Sequence, residues 1–192
     1  MSTRGNVIFV NHWNIDNIEE SRQIDYGKEL VEDKEDSAIL KNCYKIYIHS
    51  DMYPSGALPD LQEFLQMQGA RHRATDTSYL SAWFVAYSCM NMIPYTLQMS
   101  DFEKYRNKTP NRTFNNMKKS KDWFGVGLLT ELSDWAEYTY VIVPKIAIKG
   151  ERYDFKKTSF DIHIFAGALD KYLGVMNSKD DIKSLENEEW WY

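Results

Sequence analysis

The stretch Tyr44–Leu61, YKIYIHSDMYPSGALPDL, constrains the chain most, because strand, turn and helix start are all legible in it. Tyr44, Ile46 and Ile48 alternate with Lys45, Tyr47 and His49, which predicts a half-buried strand with one apolar and one polar face. Tyr53-Pro54-Ser55-Gly56 then supplies a fixed φ and a permissive glycine. Pro59 suits the first position of a helix starting near Leu58, and Asp60 and Glu63 suit its positive end. His49 and Asp51 share a face where the strand gives way to the turn, a common place for sites.

Asn6–Val10 reads as a first strand, so continuously apolar from Val7 onward that a central position covered on both faces is expected. If these two strands pair, the start of one meets the end of the other, and Arg4 joins His49, Asp51 and Tyr53 at one rim of the sheet. A guanidinium there would hold a carboxylate or phosphate through two hydrogen bonds, His49 could move protons near neutral pH, and Asp51 could orient either group. The competing reading makes Arg4 and Asp51 an ion pair that fixes the turn, with His49 donating to backbone.

The residues Thr3-Arg4-Gly5, Tyr47, His49, Asp51, Tyr53, Pro54, Gly56 and Ala57 resemble a family of small uncharacterised bacterial and phage proteins. Its members open with a small residue and Thr-Arg-Gly, and continue into Tyr-x-His-x-Asp-x-Tyr-Pro. The likeness covers roughly the first half, with a weaker echo at Trp135–Tyr140, where an acidic and aromatic strand is expected. The Trp13–Asn42 insertion departs from the family's short connection. The resemblance implies a phage or mobile-element context and carries no mechanism.

A chain of 192 residues suits one domain with a sizeable core, and a net charge of -5 gives no global pull toward nucleic acid. No apolar run is long enough for a membrane span, and the first residues lack a secretion signal. Cys43 and Cys89 are a lone pair without zinc spacing, so a reduced, cytoplasmic setting is the expectation, the host cytoplasm if phage-encoded. No cofactor motif is present.

The segment Ile15–Asp36 is acidic, could hold a short helix, and reads as a solvated excursion between two strands of a hairpin. Leu58, Leu61, Phe64 and Leu65 mark one helix that Gly69 could end. Thr77 or Ser78 could cap a second, carrying Leu80, Phe84, Val85, Tyr87 and Cys89, which Pro94 stops. Gly125–Leu132 and Trp135–Val143 read as a hairpin turning at Ser133 and Asp134. Pro144 interrupts, a short hairpin follows around Lys149 and Gly150, and a strand at Phe160–Ile164 changes to a helix near Phe165. The expected fold is a single α+β domain over 1–176, a mostly antiparallel sheet with helices packed on one face and long charged loop insertions. Residues 177–192 form a polar tail ending in Trp190, Trp191 and Tyr192, rings suited to docking on the same domain or anchoring a protein partner.

The favoured function is a binding module acting on a host protein or small anionic ligand through the Arg4, His49 and Asp51 rim. One alternative is a small hydrolase. Loss of Met1 would place the Ser2 hydroxyl beside a free α-amine, as in N-terminal nucleophile hydrolases, and a His/Asp site is its other form. The pairs His49-x-Asp51 and Asp161-x-His163 would hold a metal only if their strands were neighbours. Another alternative is nucleic-acid binding through the basic loop 104–121, with lysines interleaved among Tyr105, Phe114 and Trp123.

Overall fold

A strand with no polar face has to lie between two others and under cover on both sides. In the computed structural model, which describes residues 3–11, 24–32, 34, 37–49, 52–96, 125–149, 152–185 and 188–189, the VIFV run does so. The elements are β1 (Gly5–Val10), α1 (Tyr26–Glu32), α2 (Ala38–Lys41), β2 (Cys43–Ile48), α3 (Pro54–Gln66), α4 (Gln68–His72) and α5 (Thr77–Thr96). They continue with β3 (Val126–Leu129), β4 (Tyr138–Lys145), β5 (Ile148–Lys149), β6 (Arg152–Tyr153), β7 (Ser159–Ala166), β8 (Lys171–Asn177) and a 3-10 turn at Ile182–Leu185. Every residue of β1 is buried.

The main sheet runs β3-β2-β1-β4-β7-β8, and β5 and β6 form a small ribbon apart from it. β1 pairs antiparallel with β2, Gly5 opposite Ile48, and parallel with β4, Gly5 opposite Tyr138. The other pairings in this sheet are antiparallel, giving the expected mixed α+β fold with a mostly antiparallel sheet. Alternation divides the core in two. Val7, Phe9, Ile46, Ile48, Tyr140, Ile142, Ile162 and Ile164 pack with Leu58, Leu61, Phe64, Leu65, Leu80 and Phe84 of α3 and α5. Ile8, Val10, Val141, Val143 and Phe165 pack on the other face with Tyr26, Leu30, Ile39 and Leu40 of α1 and α2.

Helices therefore flank both faces. The acidic composition of the 13–42 insertion suggests an excursion in solvent, but Tyr26, Leu30, Ile39 and Leu40 recur at spacings that bury one side of short helices. Of its charged residues, Lys28, Glu29 and Glu32 lie on the exposed side of α1.

Other expectations are corrected by pairing. β3 and β4 are not a hairpin: β3 joins β2 with Ile48 opposite Val126, and β4 joins β1 and β7. Pro144 does not end β4, because β1 stops opposite Ile142 and no ladder bond to β1 is asked of the proline. The change to helix near Phe165 is a tight turn into β8. Gly167 takes φ +63, Leu169 takes φ 72, and the Asp170 amide donates to the Ala166 carbonyl at 3.0 Å. The ribbon around Lys149 is present, Ile148 opposite Tyr153.

α3 starts at Pro54 rather than Leu58, and Pro59 lies inside it. Pro54 sets the helical φ at the first position, and the Gly56 and Ala57 amides close on the Tyr53 carbonyl at 2.9 and 2.8 Å. The helix ends before Gly69, which falls within α4. α5 is capped by Asp76, whose Oδ1 accepts from the Tyr79 amide at 3.2 Å and the Ser78 hydroxyl at 2.7 Å. Those two bonds hold the Asp76 carboxyl below its ordinary pKa. Thr77 instead donates to Asn11 Oδ1 at 3.0 Å and ties the helix to the end of β1, and the backbone of α5 continues through Pro94 to Thr96.

Cys43 and Cys89 are both free thiols. Among the described residues no helix is long and apolar enough to cross a membrane.

Candidate functional site

The register decides where the motif residues meet. With Gly5 opposite Ile48 and beside Tyr138, one rim of the sheet collects the starts of β1, β4 and β3 with the end of β2. The start of α3 arrives at the same rim. The Met52 amide donates to the Thr3 carbonyl at 3.3 Å, and the Met52 carbonyl accepts the buried Tyr140 hydroxyl at 2.8 Å.

Part of the motif is there for packing. A Cβ on Gly5 would lie 2.7 Å from Met52 Cβ, so glycine alone lets the Met52 side chain seat against β1. Thr3 is buried and its carbonyl anchors Met52. These contacts set the angle at which chain leaves the sheet for α3.

Arg4 does something else. Its carbonyl takes the Glu137 amide at 2.9 Å and the Tyr138 amide at 3.4 Å, fixing its backbone between β1 and β4. Its guanidinium lies 5.7 Å from the centre of the Trp135 ring, and that indole is 74% exposed. Among the described residues no carboxylate is within ion-pair distance of the guanidinium, leaving its donor edge open beside a flat apolar surface. The turn that carries Trp135 is tied to β1. The Ser133 carbonyl accepts from the Ala136 amide at 3.1 Å and from Asn6 Nδ2 at 3.3 Å. Asn6 is buried and also reaches Thr139 Oγ1 at 3.4 Å, and Thr139 in turn donates to the Gly167 carbonyl at 2.7 Å.

His49 is exposed one residue beyond the last β1–β2 pair. Its amide donates to the Gly125 carbonyl at 2.8 Å, and its Nδ1 lies 3.1 Å from the Tyr47 hydroxyl. By strand alternation Tyr47 and His49 face away from Ile46 and Ile48, as Arg4, Asn6 and Ile8 face away from Val7 and Phe9. Arg4 and His49 thus share a face. Tyr53 does not share it: 41% exposed at the start of α3, its ring sits 6.1 Å from that of Tyr138, which packs on the opposite core. Burial first, then Tyr53 and Glu137, push the Tyr138 phenol above its ordinary pKa, so it stays a neutral donor.

The sequence motif therefore splits into an Arg4–Trp135–His49–Tyr47 surface and a Tyr53–Tyr138 surface. Trp135 and Tyr138 carry no role in the motif itself, yet both lie in the acidic and aromatic echo at Trp135–Tyr140. Asp51 lies outside the described residues, as do Ser2, the basic loop 104–121 and the Trp190, Trp191 and Tyr192 tail.

Of the two His/Asp pairs, the described members, His49 on one side and Asp161 and His163 on the other, do not meet. His49 ends β2 while Asp161 and His163 lie in β7, with β1 and β4 between. Asp161 is paired with Lys145 at 2.9 Å. His163 is buried between the rings of Tyr26 and Tyr172, and that burial pushes its pKa down to about 4. Among the described residues no group of three potential metal ligands occurs.

No protein-family model, no curated protein and no solved structure matches this chain.

Proposed function

We propose that this chain is a binding module that recognises an anionic group, carried by a host protein or by a small ligand, through Arg4 at the rim of its sheet. The observation that carries the reading is the Arg4 guanidinium lying on an exposed indole with no described carboxylate to pair with it. A guanidinium drawn to an aromatic face by its charge still has N–H donors to offer a carboxylate or phosphate. Trp135 supplies area that water gives up at little entropic cost, which is why Trp and Arg recur at the centres of interfaces. His49 adds a ring donor or acceptor on the same face. The phage or mobile-element setting comes from the Thr-Arg-Gly and Tyr-x-His-x-Asp-x-Tyr-Pro resemblance.

Titration of the protein with N-acetyl-aspartate amide and with inorganic phosphate, followed by tryptophan fluorescence, tests this. Trp135→Phe identifies the share of the signal that belongs to the rim. The expected result is a change carried by Trp135 whose midpoint moves at least about tenfold higher in Arg4→Gln, the loss of one charge-assisted contact. Equal midpoints in wild type and Arg4→Gln would remove Arg4 from binding and the reading with it.

A further inference from the structure

At the other end of the sheet lies a cleft of about 240 Å³, lined by Leu65, Gln66, Arg71, Ser178 and Lys179. α3 runs 13 residues from Pro54 at the rim to Gln66 at this cleft, a rise of about 20 Å, so one small ligand cannot occupy both places.

The walls are fixed by backbone bonds. The Ser178 amide donates to the Phe160 carbonyl at 2.7 Å, and its hydroxyl oxygen accepts the Phe160 amide at 3.0 Å. Gln66 Nε2 donates to the Ser178 carbonyl at 2.7 Å and joins the end of α3 to the residue after β8. Arg71 is pinned through its amide to the Met67 carbonyl at 3.2 Å, and its own carbonyl accepts the Tyr153 hydroxyl.

The charged groups keep donors that are not used within the described residues. Arg71 Nε is buried without a hydrogen-bond partner, and among the described residues its guanidinium makes no ion pair. Lys179 Nζ donates to the Lys157 carbonyl at 2.8 Å, which leaves two of its three donors. Among the described residues no carboxylate lines the cleft, and the carboxylate of neighbouring Asp180 is engaged by the Asn177 amide at 2.6 Å. Two cations converge here in a chain whose net charge is -5. A buried donor on a cation is costly to leave unmet, and the cost is removed when an anion arrives.

We propose that this cleft is an oxyanion site of the phosphate class, with Arg71 holding two oxygens through its Nε–H and an Nη–H, and Lys179 adding a point charge. The volume lies below the roughly 300–1,000 Å³ of ordinary small-molecule pockets, so it suits phosphate or a phosphomonoester and not a whole nucleotide.

The test is isothermal titration at low ionic strength with inorganic phosphate and with N-acetyl-O-phosphoserine amide. Arg4→Gln serves as the background, so that the rim does not contribute. Binding of either probe is expected, weakened about tenfold or more by adding Arg71→Gln and about three- to tenfold by adding Lys179→Gln. The tighter of the two probes tells a free ion from a phosphorylated side chain. Binding of neither probe in that background overturns the proposal, and so does equal affinity in all three proteins. Lys179 is exposed, so its substitution leaves the fold intact and decides the matter alone if Arg71→Gln fails to fold.

Discussion

A buried histidine between two tyrosine rings acts on stability through protons. Burial disfavours the His163 imidazolium, so its pKa falls to about 4 from the 6.5 of the unfolded chain. Between those values the unfolded state binds the proton and the folded state does not, so stability rises with pH through that window and is lost as pH falls through it. From pH 7 to pH 5 the single group accounts for a loss of roughly 2 kcal/mol, at about 1.4 kcal/mol per unit below its unfolded pKa. Urea unfolding at the two pH values should show this loss in wild type and a shallower one in His163→Gln; parallel losses would mean that other groups carry the dependence. Cys43 follows the same physics with the opposite sign: burial pushes its thiol up to about 11, so it stays a protonated thiol near neutral pH. Neither property was legible beforehand, because the sequence shows His163 alternating with Ile162 and Ile164 as if facing water. The helices on the second face, which cover it, sit in an acidic segment whose composition allows a short helix but hides its burial.

At the scale of elements, what could be read and what could not separate along local and non-local lines. The run Val7–Val10 announced a doubly covered strand by itself, and the alternation at Tyr44–His49 announced its neighbour. Partners across long separations were not written anywhere local. The pairing of β1 with β4 and of β2 with β3 depends on where β1 ends and on Gly125 receiving the His49 amide. Leu169, Tyr172 and Leu173 have helical spacing in a segment whose Gly167 and Leu169 adopt positive φ, and the backbone outweighed the pattern. The insertion is the sharpest case. Leu30 is fully buried against the second face, so Leu30→Ala should cost about 2–5 kcal/mol in urea unfolding, the range for emptying a packed aliphatic site. A change within about 0.5 kcal/mol, as for an exposed position, would mean that α1 does not belong to the core.

At the scale of the whole molecule, Arg4 at one end of the sheet and Arg71 with Lys179 beside the other place cations at opposite ends of an acidic chain, and each carries one of the two proposals. The rim was half legible. Arg4, His49 and Tyr53 were identifiable from the motif, but which face each side chain takes follows from strand alternation combined with register, and Trp135 meets Arg4 from a turn whose Ser133 is tied to Asn6. The cleft was not legible, since Arg71 and Lys179 are far apart in sequence and meet through the β7–β8 end and α4. The central claim is that Arg4 is free to bind rather than engaged in fixing the turn, and one measurement separates these directly: urea unfolding of Arg4→Gln without added ligand. Arg4 is half-buried against an exposed indole, a contact worth roughly 0.5–2 kcal/mol, and the expected loss is no larger than that. A loss of about 3–5 kcal/mol, the cost of breaking a buried ion pair, would contradict it and make Arg4 a structural residue.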